Sequence, residues 1–207
     1  MPFTAHGAGY PDSMAMTNRL EGMKVAILLE SMFEQVEMTQ PRKALDDAGA
    51  KTVLISPQAE KVQGVHHDEK GDTFPVDLQL DKADPEQYDA LLLPGGVANP
   101  DRLRMNRKAM QFVKSFVDAG KPIAAICHGP WSLVETDAVR GLRMTSWPSV
   151  QTDIRNAGGN WVDEPSVTDR NITTSRKPDD IPKFNEAMLH LFEESRTRGE
   201  LRQHANA

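Results

Sequence analysis

The residues best suited to chemistry in this chain are a lone cysteine and the histidine beside it. Cys127 ends a short apolar run, residues 123–126, and is followed directly by His128. The run has the length and apolarity of a buried parallel strand. Gly129 and Pro130 come next and predict a sharp turn into a helix, because proline is well tolerated in a helix's first turn. The pattern resembles a nucleophile elbow with cysteine in place of serine.

Two interpretations of Cys127 are open at this point. A thiol at the N-terminus of a helix lies at the positive end of the helix dipole, which favours the nucleophilic thiolate. Free cysteines, however, are more often small buried hydrophobic residues. The local pattern favours neither interpretation, so the choice depends on which other groups reach the same place.

The rest of the chain predicts a sheet that would bring such groups together. Apolar runs at 24–29, 51–56 and 88–93 are typical of buried strands and alternate with amphipathic helices. Alternating strands and helices predict an α/β three-layer sandwich, with a mostly parallel sheet and helices on both faces. The polar, glycine-punctuated segment 59–81 predicts a small antiparallel hairpin.

Sites in open parallel sheets lie beyond the carboxyl ends of the strands. Three predicted turns meet there, and this convergence favours a functional thiol over a buried hydrophobic one. The turns are the acidic one at Glu30, Glu34 and Glu37, the glycine turn at Gly95 and Gly96, and Cys127 with His128.

The chemistry available is that of a thiol nucleophile, which needs a thiolate, an anion-stabilising pocket and an acid/base partner. The backbone N–H groups of Gly96 and His128 are the candidates for an oxyanion hole. The His128 imidazole can approach the sulfur if the turn is tight, and it needs a carboxylate to orient it. Asp101 is one candidate for that carboxylate, and a solvated helix-capping role is the alternative.

The acidic turn and the histidine pair raise separate questions. A carboxyl beside a thiolate is repulsive unless it holds its proton, when it can donate a hydrogen bond to the sulfur. A buried Glu34 could do this, whereas Glu30 and Glu37 are expected to be solvated or salt-bridged. Residues 66–69, His-His-Asp-Glu, lack further ligands at metal-binding spacing, so we expect a solvated loop and no metal site.

Length and composition limit the remaining possibilities. The chain has 207 residues, 39% hydrophobic and 26% charged, which predicts one soluble domain at 21–196 between a flexible extension, 1–20, and a polar tail, 197–207. A net charge of -6 argues against a dedicated nucleic-acid binder. The single cysteine and the absence of a signal peptide or membrane-spanning run predict a cytoplasmic protein. The glycine turn lacks phosphate-binding spacing, so no nucleotide cofactor is expected.

Four stretches resemble the PfpI family of intracellular cysteine-protease-like proteins, within the superfamily that includes the parkinsonism-associated deglycase. They are residues 33–37, 91–96, 120–130 and 174–180, and together they span about 23–192. The elbow stretch, 120–130, is the most specific of the four. The resemblance implies a flavodoxin-like fold.

The resemblance also implies roles for particular residues. Cys127 would be the nucleophile, Glu34 the protonated carboxyl touching the sulfur, and His128 the imidazole partner. An acid from a neighbouring subunit would complete the site, and Asp101 is the position that matches it. This arrangement requires self-association, as a dimer or a hexamer, with the site at the subunit interface.

Two functions follow as expectations. The first is a stress-protective cysteine hydrolase that acts on adducts of reactive aldehydes such as methylglyoxal, on glycated side chains, or on peptides. The second is a non-catalytic redox-sensing stress protein or chaperone, in which Cys127 is oxidised to sulfenic and then sulfinic acid.

Overall fold

The computed structural model describes residues 19–205. The predicted N-terminal extension, 1–20, lies outside this range except for its last two residues. Within the described part, the β-strands are β1 (Lys24–Leu28), β2 (Phe33–Glu34), β3 (Lys51–Ser56), β4 (Lys61–His66), β5 (Glu69–Pro75), β6 (Leu78–Gln79), β7 (Ala90–Leu93), β8 (Ile123–Ile126), β9 (Arg143–Met144), β10 (Asn160–Trp161), β11 (Ser166–Asp169) and β12 (Ile172–Ser175). The α-helices are α1 (Gln35–Asp47), α2 (Ala98–Met105), α3 (Arg107–Asp118), α4 (Trp131–Glu135), α5 (Gln151–Asn156) and α6 (Ile181–Ala205).

The central sheet confirms the predicted fold class. Its strands lie in the order β11-β12-β8-β7-β1-β3-β6. All neighbouring pairs are parallel except β11 with β12, which is antiparallel at the sheet edge. Because β8 lies between β7 and β12, the residues that follow β7 and β8 emerge side by side at the carboxyl edge.

Helices cover both faces of this sheet because successive side chains of a strand point to opposite sides. In β1, Val25 and Ile27 pack into one core with α1 and α6, whereas Ala26 and Leu28 pack into the other with α3, α4 and α5. All four are fully buried. The result is a three-layer sandwich with a separate apolar core on each face.

The predicted small hairpin is present and is attached to the acidic turn. β4 and β5 pair antiparallel, and the short β2 pairs parallel with β4, so that Glu34 lies opposite Val65. This second sheet therefore places the β4–β5 turn beside the carboxyl end of β1, where the predicted site lies.

The two ends of the described chain pack together. Leu20 is fully buried, and the Arg19 guanidinium contacts the Glu193 carboxylate on α6 at 2.6 Å. Helix α6 continues to Ala205, through most of the segment predicted as a polar tail. Within residues 19–205, no helix combines the length and the apolarity needed to cross a membrane.

Candidate active site

The backbone at Cys127 makes the sharp turn expected after the strand. Cys127 has φ 62°, a left-handed conformation that is costly for a residue with a side chain. Neighbouring segments hold it there: its N–H donates to the Ser175 carbonyl at 3.0 Å, and its carbonyl accepts the Trp147 N–H at 2.9 Å. A Cβ on Gly129 would lie 2.5 Å from the Leu93 carbonyl oxygen, so the turn requires glycine there.

The His128 side chain reaches the sulfur directly. Its Nδ1 lies 3.2 Å from the Cys127 Sγ, and its Nε2 lies 3.3 Å from the Ser149 Oγ. The buried ring packs between two indoles, with ring centroids 4.9 Å from Trp131 and 6.0 Å from Trp147. A hydroxyl and two aromatic rings of the same chain therefore fix the imidazole.

Burial determines the charge of His128. It lowers the pKa of the imidazole to about 4, so the ring is neutral near pH 7 and has one nitrogen able to accept a proton. If Nε2–H donates to Ser149, the Nδ1 lone pair faces the Cys127 sulfur. In that tautomer His128 can take the thiol proton.

The carboxyl that lies beside the Cys127 thiol belongs to Glu37. This side chain is 0% exposed, and its Oε2 accepts the Gly95 N–H at 3.1 Å. Its buried Oε1 has no hydrogen-bond partner among residues 19–205, and the carboxyl is near enough to Cys127 for its charge to raise the pKa of the thiol. Burial, with a smaller contribution from the negative charge of Glu34, raises the pKa of Glu37 to about 8. The carboxyl is thus protonated near neutral pH and can donate to sulfur.

This geometry corrects the prediction for Glu34. Its Oε2 accepts the His67 backbone N–H at 3.0 Å instead of contacting the sulfur. Glu34 immediately precedes α1, whereas Glu37 lies in the first turn of α1, on the buried face. Glu37 was expected to be solvated or salt-bridged, and it is instead the most buried carboxyl at the site.

The environment of the sulfur favours a thiol in the resting site. Cys127 is 6% exposed, and burial, followed by the charge of Glu37, raises the pKa of its thiol well above the usual value. The backbone N–H groups of Gly96 and His128 act in the opposite direction and lower the pKa of the thiol. Helix α4 has only five residues, so its dipole is small and the predicted thiolate does not follow from it. Deprotonation therefore needs a nearby base.

The glycine turn brings backbone against these groups. A Cβ on Gly95 would lie 2.5 Å from the Glu37 Oε2 and 2.6 Å from the Cys127 Cβ. Gly96 has φ 76°, and a Cβ there would lie 2.7 Å from the Glu34 backbone nitrogen. Only glycines allow this turn to pack so closely against the elbow and the acidic turn.

A buried asparagine, which the sequence analysis did not identify, holds this turn. The Asn99 Nδ2 donates to the carbonyls of Pro94 and Gly95, both at 2.9 Å. Its Oδ1 accepts the Glu30 N–H at 2.6 Å. Asn99 therefore joins the glycine turn to the acidic turn.

Asp101 does not complete the site within the chain. It lies in the first turn of α2, is exposed, and its side chain has no hydrogen bond or ion pair with any described residue. The nitrogen of His128 that an acid would orient faces Ser149 instead. Ser149 was missed because nothing in its local sequence indicates a contact with a residue 21 positions away.

A cavity of about 650 Å³ opens above the sulfur. Its walls combine aromatic, apolar and acidic groups, among them Trp131, Trp147, Met32, Val97, Glu34 and Asp68. Residues 66–69 form the end of the hairpin, where His67 lines the cavity mouth. In the described part of the chain, no three His, Cys, Asp or Glu side chains are grouped to hold a metal ion.

The arrangement can be compared with known proteins. Residues 23–191 match the model of the DJ-1/PfpI family. A Bacillus subtilis protein named "Putative cysteine protease YraA" is 41% identical over 170 residues, which cover 82% of this chain and 98% of that one. The uncharacterized protein SAV1875 of Staphylococcus aureus is 43% identical over 169 residues, or 80% and 96% of the two chains.

Solved structures agree with the sequence matches. A two-domain protein from Anabaena variabilis, with a DJ-1/ThiJ/PfpI-like and a ferritin-like domain, superposes with a TM-score of 0.75 at 36% identity. The match covers 81% of this chain and 47% of that chain, so this chain spans about half of the two-domain protein. Schizosaccharomyces pombe DJ-1 has the same fold, with a TM-score of 0.71 at 19% identity over 84% and 97% of the chains. The chain belongs to the DJ-1/PfpI family.

Proposed function

We propose that this protein is a cysteine-dependent hydrolase of the deglycase or glyoxalase type, acting on small reactive carbonyl compounds. One observation carries the proposal: the Cys127 sulfur lies 3.2 Å from a neutral imidazole nitrogen and against the protonated carboxyl of Glu37, below a cavity. A base and a hydrogen-bond donor thus contact the same nucleophile, as thiol catalysis requires.

The first step would be attack of the sulfur on an aldehyde carbon. As the S–C bond forms, the thiol proton moves to His128 Nδ1 and the carbonyl π electrons move to oxygen. The backbone N–H groups of Gly96 and His128, which lower the pKa of the thiol, are the donors we assign to the developing oxyanion. His128 then returns the proton to this oxygen, which gives a neutral hemithioacetal.

With methylglyoxal as substrate, the later steps balance without a redox partner. Removal of the proton from C1 and its return to C2 convert the hemithioacetal into a lactoyl thioester. His128 is the base we assign to this transfer, and the Glu37 carboxyl stabilises the sulfur by hydrogen bonding. Water then cleaves the thioester, so that the net reaction adds one water to methylglyoxal and releases lactate and the free thiol. Glu34 is assigned no proton transfer because it does not hydrogen-bond the sulfur.

The geometry favours small substrates over peptides. Only 6% of Cys127 is exposed, and the sulfur is reached through the cavity. A peptide hydrolase acting on folded proteins would need an open groove at the thiol. Peptidase activity is nevertheless the natural comparison, since one relative carries a cysteine-protease name.

The proposal includes self-association. Val97 and Trp147 are exposed apolar side chains that also line the cavity, so a second copy packed against this face would bury them. The partner subunit's Asp101 could then approach His128. Analytical ultracentrifugation tests the assembly, and a strictly monomeric, fully active protein would refute this part of the proposal.

The test of the function is consumption of methylglyoxal by the purified protein and by Cys127→Ala, with hydrolysis of an unstructured peptide measured in parallel. We expect lactate formation that depends on Cys127 and little peptide cleavage. If neither substrate is turned over in a Cys127-dependent way, the hydrolase proposal is wrong. Cys127-dependent cleavage of the peptide alone would make the protein a peptidase.

A second function is favoured by one specific observation. The lone thiol is surrounded by three donors able to hold sulfinate oxygens: the Glu37 carboxyl and the N–H groups of Gly96 and His128. Peroxide would transfer one oxygen to the sulfur and release water, and a second peroxide would give the sulfinic acid. Mass spectrometry after mild peroxide treatment tests this redox role. A sulfur that gains no second oxygen, or gains it as readily in Glu37→Leu, would argue against it.

A further inference from the structure

We propose that the cavity above Cys127 selects substrates that carry a positive charge, an ammonium or guanidinium group, close to the reacting carbon. This inference concerns the substrate class and rests on the proposed function. The charges and the aromatic rings in the cavity walls support it.

The formal charges that line the cavity are acidic. Glu34 and Asp68 are on its wall, and no lysine or arginine is among its lining residues in the described part of the chain. Glu37 and His128 also line it, but near neutral pH the first is protonated and the second is uncharged. A charged substrate therefore meets two carboxylates and no fixed cation.

The position of Glu34 allows its charge to act inside the site. It is buried, and a single backbone N–H, that of His67, hydrogen-bonds its Oε2. The negative charge of Glu34 contributes to the raised pKa of Glu37. The His67 ring does little to offset the negative charge of Glu34, because its Nδ1 lies 3.8 Å from the Glu34 Oε2 and its side chain is 84% exposed to solvent.

Aromatic walls provide a second, independent reason to expect a cation. Indole faces attract ammonium and guanidinium groups, most strongly where solvent is displaced. Trp131 already has the Arg104 guanidinium 5.6 Å from its ring centroid, although Arg104 is paired with Glu135 and does not line the cavity. Trp147 lines the cavity and is 39% exposed, so part of its surface is available to a ligand.

Carboxylates and indoles together form a site that attracts cations and repels anions. A carbonyl compound with an amino or guanidino group nearby should therefore bind better than its neutral analogue. A carboxylate-bearing aldehyde such as glyoxylate should bind worse than methylglyoxal.

The test uses the rate at which Cys127 reacts with three methanethiosulfonates that differ in charge. The probes are the cationic 2-(trimethylammonio)ethyl, the neutral methyl and the anionic 2-sulfonatoethyl reagents. Each forms a mixed disulfide with the sulfur and releases methanesulfinate, so no turnover is needed. Because the same thiol attacks all three reagents at one pH, the thiolate fraction cancels from the ratio of rates. N-acetylcysteine amide provides the reference ratio.

We expect the cation-to-anion ratio at Cys127 to exceed the reference by about tenfold or more at low salt. A unit charge about 6 Å away changes each rate about threefold even in water, in opposite directions for the two reagents. The double variant Glu34→Gln/Asp68→Asn should bring the ratio to within about twofold of the reference. The amide introduced by Glu34→Gln keeps an oxygen acceptor for the His67 N–H, and Asp68 is exposed, so both changes should be tolerated.

The matched control is Glu86→Gln, which removes one exposed charge before β7, at the opposite edge of the sheet. It should leave the ratio unchanged. A wild-type ratio equal to the reference, a ratio that the double variant does not lower, or failure of the neutral reagent to label Cys127 would each overturn the inference. Absence of methylglyoxal turnover would instead refute the hydrolase proposal, since labelling does not depend on catalysis.

Discussion

Replacement of Glu37 by glutamine should change how folding stability depends on pH. The side chain is fully buried against the thiol, and burial raises its pKa from 4.5 to about 8. A carboxyl whose pKa is raised by folding binds its proton more tightly in the native state. Its stability advantage is therefore complete below pH 4.5 and is lost as the pH rises through about 8.

The size of the effect follows from that shift. Between the unfolded and the folded pKa of Glu37, each rise of one pH unit lowers folding stability by about 1.4 kcal/mol. At pH 7, Glu37 should therefore have made wild type about 3 kcal/mol less stable than at pH 4.5. Burial of His128 acts in the opposite direction between pH 4 and 6.5, because its pKa is lowered to about 4. The difference between wild type and variant cancels the contribution of His128.

Glu37→Gln suits this measurement because the amide keeps both contacts. Its oxygen can accept the Gly95 N–H, and its NH₂ can donate to the Cys127 sulfur. Urea unfolding at several pH values from about 5 to 8 gives the free energy of unfolding of both proteins. Between pH 5 and pH 8, we expect the free energy of unfolding of the variant to rise by about 3 kcal/mol relative to that of wild type.

The control is Glu86→Gln, an exposed glutamate, which should shift the free energy of unfolding by less than about 0.5 kcal/mol at every pH. A wild-type minus variant difference that stays flat from pH 5 to 8 would refute the reasoning. It would mean that Glu37 is ionised in the folded protein and cannot donate to the sulfur.

The same geometry predicts a pH profile, a positioning role and a steric limit. Because burial lowers the pKa of His128 to about 4, the rate of Cys127 alkylation should show no inflection near pH 6.5, and one there would indicate an exposed, unperturbed imidazole. Ser149→Ala should lower kcat for methylglyoxal about threefold to fivefold with little change in KM. Ser149→Thr keeps the hydroxyl and should restore kcat. Equal losses of kcat in both variants would exclude a hydrogen-bonding role for Ser149. Gly129→Ala should destabilise the protein by more than about 3 kcal/mol in urea unfolding, since its Cβ would lie 2.5 Å from a carbonyl oxygen. Gly120→Ala, at φ 64° with no atom within 4 Å, should cost only about 1 kcal/mol, and similar costs at the two sites would contradict the steric argument.

The fold and the location of the site could be predicted because both depend on local patterns. Apolar runs of four to six residues became the buried strands of the parallel sheet, and chain direction then placed their following turns at one edge. The Cys127 elbow and the glycine turn followed from this rule. Their side chains meet because β7 and β8 are neighbours.

The choice between Glu34 and Glu37 depended on where α1 begins. Glu37, Pro41 and Leu45 recur at four-residue spacing and are all buried, so the helical stripe of α1 contained the signal that Glu37 faces inward. The start of α1 at Gln35 leaves Glu34 outside that stripe.

The contacts of Ser149 and Asn99 had no such signal. Ser149 reaches His128 because the Trp147 N–H binds the Cys127 carbonyl and brings the segment after β9 over the elbow. Asn99 joins two turns that are distant in sequence, through hydrogen bonds at 2.6 and 2.9 Å. Both contacts depend on tertiary packing between segments, which local patterns of sequence do not encode.

The proposed function requires the Cys127 thiol to turn over a small carbonyl substrate. The most direct measurement is the amount of lactate formed from excess methylglyoxal per protein chain, with the mass of the protein followed at the same time. We expect many equivalents of lactate per chain from wild type, none from Cys127→Ala, and a wild-type chain that returns to its unmodified mass. Lactate that does not exceed one equivalent per chain, or formation that persists in Cys127→Ala, would contradict it.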